Sequence, residues 1–314
     1  MKKICCVGIL VADVMAPINE LPRLGELSRV ESVTVHNGGN AMTAAVNLRR
    51  LGVESYLIGK VGNDVFGEGL LKGIREGGVC TDGVRIDKKD QTSVSIVLLQ
   101  KGERSFLHTV GANGSFNLKD IDFSIIENVD AVFLTGVFLM DSFDGEESVE
   151  FLRRCKEMGK TTFLDVCWDA RSRWGDIING YLPYVDYFMP SIDEAREIAR
   201  FDGTPDEMAD VFTSRGAKNV IIKLGSKGSY VRLSGEKRGR IFPSVKAESV
   251  VDTTGAGDSF CSGFLSGFAR NLPTEECMKL ANSAGALCVS KMGAMSWATN
   301  FEDLKRYKEE NECL

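Results

Sequence analysis

The residues whose types and spacing carry the most chemistry form the run Asp252-Thr253-Thr254-Gly255-Ala256-Gly257-Asp258-Ser259-Phe260. It stands between a β-leaning segment, Glu248 to Val251, and a helical pattern in which Phe260, Cys261, Phe264, Leu265 and Phe268 share one face. This places the N–H groups of Gly255, Ala256 and Gly257 at a helix N-terminus, where donors and helix dipole together attract an anion. Asp258 follows in the first turn, where the same dipole is expected to keep it ionised. An anion cradle with a carboxylate beside it suits the movement of a phosphoryl group onto a hydroxyl. A glycine-rich loop whose Asp merely caps a helix would share part of this pattern. The two threonines before the glycines and the small Ser262-Gly263 pair after them make the run more specific.

The elements that must hold this run are legible from about residue 116 onward, where short apolar runs alternate with helical patterns. Ala131 to Thr135, Thr161 to Val166, Val185 to Met189 and Val220 to Leu224 read as buried strands. A helix carrying Val149, Leu152 and Cys155 ends at Gly159, and Thr204-Pro205-Asp206-Glu207 is a capping box for a helix closed by Gly216. Short buried strands joined by helices argue for a parallel sheet covered on both faces. The first third differs. Helical patterns occur there only at Ala41 to Leu51 and Gly67 to Glu76, among β-rich stretches at Val30 to His36, Thr92 to Leu99 and Ser105 to Val110. Gly102 marks a hairpin turn between the last two. A small antiparallel sheet inserted in an α/β domain, able to act as a lid, is the reading.

Bulk properties narrow the class. The 314 residues are 43% hydrophobic, enough for one large domain, and the net charge of −6 leaves no basic footprint for nucleic acid or an anionic membrane. The apolar stretch Ile4 to Met15 is interrupted by Gly8 and Asp13, and is read as a strand rather than a signal peptide or membrane span. Nine cysteines without a CxxC pair fit reduced, mostly buried thiols in a cytoplasmic protein. Two histidines leave no multi-histidine metal site and little room for Ser-His-Asp catalysis. Gly159-Lys160-Thr161 lacks the leading glycine of a P-loop, and Phe260 stands where a dinucleotide fingerprint needs its third glycine.

The nine-residue run resembles the C-terminal signature of the PfkB (ribokinase-like) family of carbohydrate kinases. Gly38-Gly39-Asn40 opens the helix that runs to Leu51-Gly52, like the family's sugar-binding Gly-Gly turn, and Gly62-Asn63-Asp64-Val65-Phe66-Gly67 resembles its Gly-x-Asp-x-x-Gly. The resemblance covers nearly the whole chain. It implies a three-layer α/β/α fold with a mostly parallel central sheet, one kinase domain over residues 1–314, and a β lid formed by about 10–36 and 88–113. It also implies ATP-dependent phosphorylation of a sugar hydroxyl.

Carried over position by position, the resemblance makes Asp258 the base and Gly255, Ala256 and Gly257 the anion hole. Asp13, Gly38, Gly39, Asn40 and Thr43 would bind the acceptor, Thr43 standing where relatives carry Asn. Ser191, Lys223, Gly225, Ser226, Gly228, Gly257 and Asn282 would meet the nucleotide, Ser191 again replacing an Asn. Glu194 would organise Mg2+ through water, and Asp252, Thr254, Cys288, Lys291 and Gly293 would surround a K+ ion, mostly through carbonyls. Asn40 stands where phosphosugar kinases tend to carry Lys, and Asp169 where acid-sugar kinases carry Arg. A neutral hexose, pentose or nucleoside is the expected acceptor, and relatives suggest a homodimer through the lid. A catalytically idle sugar or nucleotide sensor on the same fold is the alternative of another class.

Overall fold

The computed structural model describes residues 1–100 and 103–311. The first half contains β1 (Ile4–Gly8), β2 (Val11–Pro17), β3 (Thr34–Gly38), α1 (Asn40–Arg50), β4 (Ser55–Gly62), α2 (Val65–Glu76), β5 (Val84–Asp87), β6 (Val94–Gln100) and β7 (Glu103–Thr109). It continues with α3 (Phe123–Glu127), β8 (Ala131–Val137), α4 (Glu146–Glu157), β9 (Thr161–Val166), α5 (Trp174–Tyr181), β10 (Tyr187–Phe188), α6 (Ile192–Ala199) and α7 (Pro205–Ser214). The C-terminal part adds β11 (Asn219–Lys223), β12 (Ser229–Arg232), β13 (Arg240–Phe242), α8 (Ala256–Ala269), α9 (Thr274–Val289) and α10 (Phe301–Asn311).

Nine strands form one sheet in the order β13-β12-β11-β10-β9-β8-β1-β4-β5. From β11 to β5 neighbours run parallel; β12 and β13 pair antiparallel at one edge. Alternation sorts the two faces. Cys5, Val7, Val132 and Leu164 pack with Phe151, Ile178, Ile198 and Phe212 of α4 to α7. Ile4, Cys6, Phe133 and Phe163 pack with Met42, Leu70, Phe264 and Met278 of α1, α2, α8 and α9. Both faces are covered, so the strands read as continuous apolar runs.

A separate four-stranded sheet, in the order β3-β2-β6-β7, is the lid. It is mixed rather than antiparallel, because β2 and β6 at its centre run parallel. The stretch Ile4 to Met15 is not one strand. It leaves the main sheet at Gly8, where an added Cβ would sit 1.9 Å from the Thr135 carbonyl oxygen, and resumes in the lid at Val11. Of Val30 to His36 only Thr34 onward is strand, and Val185 to Met189 contributes only Tyr187–Phe188. Glu248 to Val251 forms no strand; Val250 and Val251 are exposed, and the Val251 N–H instead reaches the Val289 carbonyl at 2.7 Å. The turn assigned to Gly102 lies outside the described residues.

Lid and main sheet are tied at Asp64. Its carboxylate caps α2 through the Gly67 N–H at 2.9 Å and accepts from the Thr92 N–H and hydroxyl, each at 2.7 Å, just before β6 begins. These bonds hold the Asp64 carboxyl below its usual range against the upward push of burial. Gly62 and Gly67 are small because Thr92 and the Gly62 carbonyl occupy the space a Cβ would need. Asp64→Ala is expected to lower the unfolding free energy by about 1–2 kcal/mol, the cost of a lost N-cap. Asp64→Asn should cost less. Urea denaturation checks the order, and equal midpoints for both variants and wild type would remove the tether.

Candidate active site

The carboxyl ends of the parallel strands, the N-terminus of α8 and the inner face of the lid enclose a cavity of about 900 Å3. Ligands in open α/β sheets bind at this end. The helix α8 starts at Ala256, with Gly255 before it in the left-handed region at φ 73°. Only glycine fits there: an added Cβ would stand 2.1 Å from the Ala294 side chain. Gly255, Ala256, Gly257 and Asp258 all line the cavity.

Asp258 departs from expectation in its proton affinity, which is raised rather than lowered. Burial raises its proton affinity to about pH 6, against the Asn40 hydrogen bond and the Lys223 ammonium, and Glu194 and Asp13 add to the rise. The helix N-terminus does not outweigh that desolvation, yet a carboxyl at about 6 remains mostly ionised at neutral pH. Asn40 Nδ2 donates to Asp258 Oδ1 at 2.7 Å, while the Cys167 thiol lies 3.2 Å from Asn40 Oδ1. Asn40 therefore orients the Asp258 carboxyl from the Gly-Gly turn.

Across the cavity, Asp13 pairs in register with His36 on one side and Ser95 on the other, and Ser95 pairs with His108. Burial lifts Asp13 to about 6 as well, opposed by the Ser95 hydroxyl and reinforced by Asp252. Gly38 allows this placement, since a Cβ there would meet Asp13 Oδ2 at 2.1 Å. Gly39, at φ 89°, lies against the Ile9 and Leu10 backbone. Thr43 is fully buried in α1, one turn beyond the cavity wall, and is not among the residues that line it.

Lys223 does not belong to an exposed nucleotide loop. Its side chain turns inward, with Nζ 2.6 Å from Asp165 Oδ1 and 3.5 Å from where a Cβ on Gly257 would stand. The loop itself begins after it: Gly225 and Ser226 are exposed, and Gly228 lets the chain pass the Phe242 carbonyl. Ser244 reaches the Ser226 carbonyl at 2.7 Å, and Asn282 Nδ2 donates to the Pro243 carbonyl at 2.9 Å. Asn282 thus fixes the chain at Phe242 and Pro243 and spends its amide N–H groups on backbone. None of Gly225, Ser226, Gly228 or Asn282 lines the main cavity.

Ser191 and Glu194 form a reciprocal capping box at α6, with the Ser191 N–H 2.6 Å from Glu194 Oε2. Burial raises the Glu194 carboxyl, opposed by the Lys223 charge. A half-buried carboxylate at the cavity wall suits a hard cation. Asp252 accepts from the Thr254 N–H at 2.9 Å and the Gly293 N–H at 3.0 Å, and the Cys288 thiol lies 3.3 Å from the Thr254 carbonyl oxygen. The Lys291 N–H donates to the Cys288 carbonyl at 3.1 Å, so the five residues of this group are gathered in one place. Among the described residues no three His, Cys, Asp or Glu side chains cluster as a metal cage, so a cation here would rest on carbonyl oxygens.

Sequence reasoning missed the Asp165–Lys223 pair, Cys167 and the aromatic rim of Phe106 and Trp168. A signal existed for the pair: each charge interrupts an apolar strand, in Thr161–Val166 and in Asn219–Lys223. Asp169, expected to repel an acidic substrate, is instead consumed locally, accepting from Arg171, Arg173 and Trp174 backbone N–H groups and pairing with the Arg173 guanidinium. The thiols are free among the described residues; Cys80 is exposed and Cys167 half-buried, the others buried.

This fold and site define a phosphotransferase of the small-carbohydrate class. The pfkB family carbohydrate kinase model matches residues 1–300, and the chain belongs to that family. A ribokinase from Arabidopsis thaliana is 30% identical over 304 residues, 92% of this chain and 76% of the relative. An uncharacterized sugar kinase from Archaeoglobus fulgidus is 32% identical over 250 residues, 79% of this chain and 96% of its own length. The solved structure of Arabidopsis thaliana ribokinase complexed with ribose and ATP superimposes with a TM-score of 0.86 at 26% identity, covering 98% of this chain and 99% of that one. No helix among the described residues is long and apolar enough to cross a membrane.

A base must be ionised to accept a proton, so activity is expected to fall as pH drops through about 6, where Asp258 and Asp13 protonate. Asp13 raises Asp258 by repulsion, so Asp13→Asn should move the acid limb of log kcat/KM to lower pH. A pH–rate profile flat down to about pH 4, the range of an unperturbed carboxyl, would contradict the assignment.

Proposed function

We propose that this carbohydrate kinase transfers the γ-phosphoryl group of ATP to a hydroxyl of a neutral sugar. The observation that carries the reading is Asp258, oriented by Asn40 beside the glycine cradle and facing Asp13 across one cavity. Asp13 accepts hydrogen bonds from acceptor hydroxyls and fixes the reacting one near Asp258. Asp258 takes its proton. The N–H groups of Gly255, Ala256 and Gly257 receive the charge that develops on the transferring oxygens. Glu194 fits Mg2+, which supplies charge neutralisation at the phosphates when bound. The lid sheet closes the cavity against water, a competing acceptor.

Charge favours a neutral acceptor. Asp141, Asp165 and Asp169 are paired with Arg171, Lys223 and Arg173, which leaves Asp13, Glu194 and Asp258 as the charge that an anionic acceptor would meet. The aromatic rim supports a nucleoside as a second acceptor class. Trp168 and Phe106 line the cavity and are more than half exposed, presenting faces on which a base could stack. The loop of Gly225, Ser226 and Gly228, with the chain at Phe242 and Pro243 held by Asn282, is the proposed seat of the nucleotide. The Asp252, Thr254, Cys288, Lys291 and Gly293 cluster is the proposed K+ site. On the outer face of the lid, Val35, Ile96 and Leu107 align in one exposed apolar row, which supports a homodimer through this sheet.

ATP consumption across a panel of neutral sugars and nucleosides should show acceptor-dependent turnover. Asp258→Asn should reduce kcat by about 10²- to 10⁴-fold, the range of general-base loss. Replacing K+ by Na+ in the same assay should lower the rate. Absence of turnover on every acceptor would instead favour the idle sensor. Sedimentation of wild type should give a dimer mass, and Leu107→Glu should return a single-chain mass; a monomeric wild type removes the lid interface.

A further inference from the structure

Lys223 places an ammonium where a phosphoryl group seated in the glycine cradle would need one. It is the last residue of β11, and its own N–H is bonded to the Pro190 carbonyl at 2.9 Å, which fixes the strand end against the start of α6. From there the side chain reaches Asp165 Oδ1 at 2.6 Å, with both partners largely withdrawn from water. Lys223 and Gly257 line the same cavity, and 3.5 Å separates Nζ from an added Cβ on Gly257.

A buried ion pair is a weak reason for stability, since well-packed apolar residues often serve as well or better. The two charges are better explained by what they face. An ammonium has three N–H donors, and the Asp165 bond uses one. Among the residues lining the inner end of the cavity, Asp13, Asp165, Glu194 and Asp258 are carboxylates and Lys223 is the ammonium. Asp165 holds it from the end of β9, two strands away across β10.

We propose that Lys223 is a catalytic residue that donates a hydrogen bond to the transferring phosphoryl group, and that Asp165 is the positioning residue that aims it. This rests on the reading of ATP as donor. In the step it serves, Asp258 takes the acceptor's proton as the acceptor oxygen bonds to phosphorus. The bond to the leaving oxygen breaks, and ADP keeps its electron pair. Lys223 stays protonated throughout: although burial lowers its proton affinity, the neighbouring Asp165 and Glu194 charges raise it further. It supplies charge and direction, and no proton. Fructose-type, ribose-type or nucleoside acceptors would all use it alike, because it faces the donor's group.

Removing Lys223 alone leaves Asp165 uncompensated and could unfold the chain, so the deciding variant is the double Asp165→Asn/Lys223→Thr, with folding checked by thermal melting. Calorimetry with Mg-AMPPNP and Mg-ADP reads the contact independently of the acceptor. Wild type should prefer Mg-AMPPNP. The double variant should bind Mg-AMPPNP at least about 10-fold more weakly, the size of one charge-assisted hydrogen bond, while Mg-ADP changes less than about 3-fold. With an active acceptor, kcat should fall about 100-fold and the acceptor KM should hold. Around Asp258 the double variant removes the opposing charges of Lys223 and Asp165 together and leaves Asp13 of β2, Glu194 of α6, Asn40 of α1 and the Cys167 and Cys261 thiols in place. A folded double variant that keeps wild-type discrimination between the two nucleotides overturns the proposal, leaving Lys223 as a partner for Asp165 only. Wild type that prefers Mg-AMPPNP yet phosphorylates no acceptor refutes the acceptor reading alone. Wild type that binds neither nucleotide refutes both.

Discussion

Asp13, Asp165, Glu194 and Asp258 are drawn out of water into one cavity, and the surrounding structure answers the resulting repulsion. Each carboxyl is pushed above its ordinary range by burial, and the neighbouring negative charges push further. Such a cluster persists only if donors and a cation are aimed at it. Asn40 serves Asp258, the Ser191 N–H serves Glu194, and Lys223 serves Asp165. The same desolvation that makes the cluster costly makes every interaction within it stronger, including that with a developing charge.

The fold supplies this arrangement because a parallel sheet brings many strand ends to one rim. β1, β9 and β11 all run in the same direction, and the lid strand β2 begins three residues after β1 ends. Backbone closeness does the rest. Gly8 passes Thr135, Gly39 passes Leu10, and Gly255 lies against Ala294, each at a separation that a side chain would forbid. The lid is therefore continuous with the core at both ends of its approach, by chain at Gly8 to Val11 and by hydrogen bonds at Asp64.

Much of this was readable from local pattern. The helix after the glycine run, the capping boxes at Thr204 and the strands Ala131 onward and Thr161–Val166 all lie where periodicity and caps set them. Reading failed where neighbours in space decide. Val250 and Val251 are β-branched, but with no partner strand beside them they cross the surface toward α9. The Ile4 to Met15 stretch looks continuous because both its strands are buried, and only the Thr135 contact at Gly8 shows why it changes sheets.

By itself, the sequence determined the class of chemistry, since a glycine-led helix start followed by an acid is a local device whose meaning is set within nine residues. It also determined which strands are buried on both faces, because burial is written in composition. Tertiary structure alone decided the charge state of Asp258 and the direction of Lys223. Both depend on groups far off in the chain, Asp258 on Asn40 at a separation of 218 residues and Lys223 on Asp165 at 58. Electrostatic energy follows distance through space and the dielectric between groups, and neither is encoded in sequence spacing.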